Sequence, residues 1–90
     1  MANDSNYANL ITEIVRKQMD ILGPEIAVRQ ATNVAGLKIK DTGEVTSIND
    51  DPQTVLQKLV DEYISLSGAI VKNVLGPVLA KYPGIKLNLK

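Results

Sequence analysis

Ninety residues with equal numbers of basic and acidic side chains, ten of each, make one domain, 1–90, close to the size at which burial only just outweighs conformational entropy. The chain has no Cys and no His, which excludes disulfides, thiolate or imidazole metal sites, and every Ser-His or Cys-His nucleophile arrangement. There is no Phe or Trp, so Ile, Leu, Val and Ala supply the apolar content, a composition suited to helix packing and not to stacking on bases.

The polar start, with residues 1–5 expected to be flexible, carries neither a basic n-region nor an apolar h-region. Together with the missing cysteines, this favours a cytoplasmic location. From about Ser5 to Leu22, Tyr7, Leu10, Ile11, Ile14, Val15 and Leu22 recur at helical spacing and predict an amphipathic first helix. Gly23-Pro24 breaks it. Pro24 suits the first position of a second helix, whose inner face is expected to carry Ala27, Ala31 and Ala35 before Gly36 caps it. The segment Leu22-Gly23-Pro24-Glu25-Ile26-Ala27 resembles Gly-Pro-containing helical segments in accessory regions of some bacterial signalling proteins; the likeness spans these six residues and transfers no function, and an accessory domain of a bacterial regulatory system is the setting it suggests.

Leu37 to Lys40 alternates apolar with charged, Asp41-Thr42-Gly43 supplies a turn, and Glu44 to Ile48 forms a second run. This predicts a β-hairpin over 37–48. Asp41-Thr42-Gly43 also resembles the active-site triplet of dimeric retroviral-type aspartic proteases. The apolar run those enzymes need before the Asp is replaced here by Lys38 and Lys40, so the triplet reads as a turn. The same two lysines would occupy the first and third ligand places of a calcium loop and exclude that reading.

Asn49-Asp50-Asp51-Pro52 offers an Asp cap and a Pro in the first helical turn. The helix it opens is expected to run to about Leu75, with Leu56, Val60, Tyr63, Ser67, Ile70 and Val74 on one seam at alternating four- and three-residue steps. Gly76-Pro77 is expected to end it. A short helical turn to Tyr82, a break at Pro83-Gly84 and an alternating strand from Ile85 to Leu89 complete the chain.

Aligning Leu22-Gly23-Pro24 with Leu75-Gly76-Pro77 also pairs Ile11 with Ile64, Thr12 with Ser65 and Ala27 with Ala80. The fold expected is therefore α+β and mainly α, with two helix-Gly-Pro-helix units over 6–39 and 52–89 related as a pseudo-repeat, a small hairpin and a C-terminal strand. Charge divides between the halves: six basic residues stand against ten acidic from Met1 to Glu62, and four basic residues against none from Tyr63 to Lys90. Mutual attraction within one molecule or across a dimer explains this division. The basic end also keeps open a contact with a membrane surface.

Isolated glycines form no phosphate loop, and the scattered lysines of a neutral chain give no nucleic-acid footprint. No cofactor and no metal is expected, nor any catalytic residue. Excess apolar surface points instead to a non-enzymatic interaction or dimerisation module, a homodimer or a partner of another protein. Its candidate surface comprises Tyr63, Leu66, Ile70, Val74, Ile85, Leu87 and Leu89. The alternative is a small hydrophobic-ligand or lipid-binding domain with a pocket between the units, lined around Tyr63, Ile70 and Val74.

Overall fold

A computed structural model describes residues 4–82 together with Gly84 and Ile85. The elements run α1 (Asp4–Leu22), α2 (Pro24–Thr32), β1 (Leu37–Ile39), β2 (Val45–Ile48), α3 (Pro52–Ser67) and α4 (Ala69–Leu79). The mainly helical α+β class expected from the periodicities is the one observed.

The stripe of α1 is buried as its spacing requires: Leu10, Ile11, Ile14 and Val15 are wholly inside. The chain turns at Gly23, whose φ is 91°, and Pro24 opens α2. There a proline loses nothing, because the first amides of a helix have no intrahelical acceptor. Ala27 and Ala31 face the core, and their small side chains let α2 lie close to α1. Because α2 ends at Thr32, Ala35 lies beyond the helix and is exposed, not on the inner face where a longer helix would place it.

β1 and β2 pair antiparallel, Leu37 opposite Ile48 and Lys38 opposite Ser47, with a register irregularity before Ile39 meets Val45. Thr46 is the extra residue, and its hydroxyl donates to Lys38 O at 3.1 Å, which gives the bulge its own hydrogen bond. The tight connection is closed by Lys40 N to Glu44 O and Gly43 N to Lys40 O, both 2.9 Å. Asp41-Thr42-Gly43 is thus a hairpin turn.

That turn docks on α1. Val45 N donates to Thr12 Oγ1 at 3.1 Å, and Gly43 is buried with φ 90°. A Cβ at Gly43 would stand 2.9 Å from Met19 Sδ and 3.3 Å from Val15 Cγ1. Both the left-handed backbone and the absent side chain are needed there. Gly43→Ala is expected to lower stability by about 2 kcal/mol, read as a shift in the urea midpoint. A loss under about 0.5 kcal/mol would show that the hairpin lifts off α1 without cost.

Asp51 caps α3: its carboxylate accepts from Thr54 N at 3.0 Å and from Thr54 Oγ1 at 2.9 Å, with Pro52 at the first helical position. α3 buries Val55, Leu56, Leu59, Val60 and Tyr63 against α1 and α2. The Tyr7 hydroxyl donates to Gln53 Oε1 at 2.9 Å, which holds the beginnings of α1 and α3 side by side.

The long helix expected from Pro52 to Leu75 breaks at Gly68, not at Gly76-Pro77. Gly68 takes φ 59° and ψ −122°, and α4 continues through Gly76 with Pro77 inside it. A proline within a helix loses one hydrogen bond and crowds the preceding turn, at a cost of about 3 kcal/mol. Burial offsets that cost, since Val71, Leu75 and Val78 all reach the core and the last of them does so only if the helix survives Pro77. The two Leu-Gly-Pro segments therefore have different structures, and the pseudo-repeat built on them is not reproduced. The strand expected over Ile85 to Leu89 lies, apart from Ile85, outside the described residues.

Candidate functional site

Ion pairs and hydrogen bonds give the direction of α4. Lys81 Nζ lies 3.4 Å from Glu13 Oε2, and the Tyr82 hydroxyl donates to Glu13 Oε1 at 3.4 Å. One turn further along α1, Lys17 borders a shallow depression with Val74, Pro77, Val78 and Lys81. α4 therefore runs antiparallel to α1. From Lys17 to Gly23 the axial travel is roughly 9 Å and from Val78 back to Ile70 roughly 12 Å, at 1.5 Å per residue, so Ile70 lies within about one turn of the level of the Gly23 corner.

α3 arrives at the same end. Its Tyr63 hydroxyl donates to Ala27 O at 2.7 Å, tying the last turns of α3 to the start of α2. Two helix corners, Gly23 and Gly68, thus share one end of the molecule. Among the described residues the exposed large hydrophobics are Ile21 at 37%, Ile26 at 46%, Leu66 at 48% and Ile70 at 52%, and each lies within three residues of one corner or the other.

The sequence-predicted surface residues are dispersed by the fold. Tyr63 is fully buried, a core residue whose hydroxyl is already engaged, and burial raises its pKa above the usual 10.0. It contributes nothing to an external surface. Ile85 is also buried, at 7%, and belongs to the core cluster. Val74 is half-buried at the rim of the Lys17 depression. Leu87 and Leu89 lie outside the described residues. Leu66 and Ile70 are the members the fold leaves open to solvent.

Sequence reasoning missed Ile21 and Ile26. Ile26 was legible by exclusion, because it precedes Ala27 and so points away from the Ala27 and Ala31 face; Ile21, seven residues after Ile14, lies on the α1 stripe itself and is exposed where the helix ends at Leu22. A large aliphatic residue off the buried stripe is the signal that finds Ile26; for Ile21 the sequence carried none.

Among the described residues there is no group of three or more side chains able to hold a metal, and no helix is long and apolar enough to cross a membrane. The Tyr82 hydroxyl has its pKa raised by burial and, further, by the charge and hydrogen bond of Glu13, an effect confined to the α1 and α4 junction. What the arrangement offers is apolar contact. No family model, curated protein or solved structure matches the chain.

Proposed function

We propose that this chain is a non-enzymatic interaction module that forms a homodimer through the end carrying the Gly23 and Gly68 corners. The observation that supports it is the concentration of Ile21, Ile26, Leu66 and Ile70 at that end, where each is about half exposed while the stripes beneath them are buried.

Magnitudes decide how strong such a dimer is. Burying the exposed half of a large aliphatic side chain returns about 1 kcal/mol, hence about 8 kcal/mol over four side chains on each of two copies. The association cost of roughly 4–15 kcal/mol takes most of this, so the dimer is weak and depends on concentration.

Sedimentation velocity from about 10 µM to about 1 mM, the range in which free energies of roughly 4–7 kcal/mol register, is expected to show a monomer passing to a dimer. Ile26→Lys should abolish that passage with the helical circular dichroism unchanged. A wild-type chain that stays monomeric throughout would refute self-association.

The ligand-binding alternative draws less support, because its three lining residues occupy separate environments: Tyr63 in the core, Val74 at a rim and Ile70 in solvent.

A further inference from the structure

The corner between α3 and α4 is a single residue. Gly68 N donates to Ile64 O at 2.8 Å and Val71 N to Gly68 O at 3.1 Å, so helical hydrogen bonding closes on one side of Gly68 and reopens at once on the other. The dihedrals of Gly68, φ 59° and ψ −122°, are the mirror image of an ordinary extended conformation and are strained for L side chains. Packing does not demand the glycine, since a Cβ there would meet nothing within 4 Å. The backbone alone demands it, and rotation about one residue separates the kink from a continuous helix over 52–79.

The sequence is patterned for that continuous helix. The seam positions 56, 60, 63, 67, 70 and 74 keep their four- and three-residue alternation straight through position 68, and they share a face only if the helix is unbroken. In the kinked form Leu56, Val60 and Tyr63 are buried while Ile70 is half in solvent, as is Leu66. These are the two large apolar residues flanking the hinge, four apart and neighbours on one face of a straight helix.

We infer that Gly68 is a hinge through which two copies exchange α4. α3 and α4 join into one helix, and α4 of each chain lays Val71, Leu75 and Val78 into the place its counterpart held beside the other chain's α1. Every core contact of the kinked form is regained, including the pairing of Glu13 with Lys81, now between chains. The hinge segments of the two chains cross near the two-fold axis, where Leu66 and Ile70 meet their equivalents. The identity of the occupant follows from the fit, because the face α4 leaves is complementary to α4 itself. The inference rests on the dimer proposed above and specifies how it is built.

Gly68→Ala disfavours the kink and favours helix, so it is expected to lower the dimer dissociation constant by about tenfold or more. Replacing Gly68 by D-alanine, which favours the present dihedrals, should raise it by a similar factor. Equal amounts of carbon-13-labelled and unlabelled chain, unfolded and refolded together, should then show filtered NOEs between chains from the Val78 methyls to the Lys17 side chain.

A dimer in which those contacts stay within single chains overturns the exchange and leaves the dimer standing. A Gly68→Ala chain that is merely less stable and no more associated than wild type also overturns the exchange. If both are monomeric to about 1 mM, the dimer falls with it. Should Gly68→Ala fail to fold, the wild-type mixed-label sample and the D-alanine variant give the same decision.

Discussion

Tyr63→Ala is expected to lower the free energy of unfolding by roughly 3–5 kcal/mol, close to the whole stability of a domain for which 5–15 kcal/mol is usual. The ring is fully buried and is the largest side chain in the core. It shares one core cluster with Ala27 and Ala31 of α2 and the buried aliphatic residues of α1 and α3, and an alanine leaves a ring-sized void among them. Tyr63→Phe keeps the ring and removes only the 2.7 Å bond to Ala27 O, at about 1 kcal/mol. Urea unfolding followed by circular dichroism separates the two. An alanine variant that loses less than about 1.5 kcal/mol would show that the ring is not a core residue.

The same phenol sets an alkaline limit. Burial raises its folded pKa above the usual 10.0, so the folded state keeps its proton where the unfolded chain would release it. Its contribution is fully present below pH 10 and is lost as pH climbs from there toward the folded value. Tyr63→Phe should accordingly flatten the decline in stability above pH 10, leaving the smaller share of Tyr82, whose pKa is raised in the same direction.

The opposite sign is expected at Gln18. This side chain is fully buried on α1, and neither Nε2 nor Oε1 has a hydrogen-bond partner among the described residues. A buried polar group left unpaired costs about 1–3 kcal/mol. Gln18→Met keeps the length and flexibility of the side chain while removing both polar atoms, and is expected to stabilise by about 1–3 kcal/mol. Each kcal/mol corresponds to a rise of roughly 4–8 °C in Tm for a domain of this length. Differential scanning calorimetry at a fixed low concentration keeps self-association out of the comparison. An unchanged or lowered Tm would mean that the amide is hydrogen-bonded in the native protein.

Gln18 also shows how side-chain polarity misleads where periodicity does not. Its position, one turn after Ile14 and Val15, continues the buried stripe of α1, yet its polarity argues for the surface. The backbone geometry of the helix determines where a side chain points, and chemistry then determines what that placement costs. Tyr63 is the complementary case. Its spacing placed it on the apolar seam of α3, but a seam has the same pattern whether it faces its own core or a second molecule. Only the presence of Ala27 within hydrogen-bond reach distinguishes the two. For Ile70 the same seam ends in solvent, because the chain turns away at Gly68.

The sequence by itself determined the elements whose causes are local. The stripe of α1, the hairpin turn at Asp41-Thr42-Gly43 and the Asp51-Pro52 start of α3 each depend on residues within a turn or two of one another, through periodicity, turn geometry and capping. The tertiary structure decided which glycine bends the chain. Gly23-Pro24 and Gly76-Pro77 are identical as dipeptides, but behind Pro24 a corner lets Ala27 and Ala31 close on α1, whereas past Pro77 an unbroken helix carries Val78 into the core. Burial over long range offsets a local preference of a few kcal/mol in the second case and reinforces it in the first. The bend therefore falls at Gly68, where the backbone turns without displacing any side chain, and that corner, together with the one at Gly23, brings the exposed apolar residues to one end.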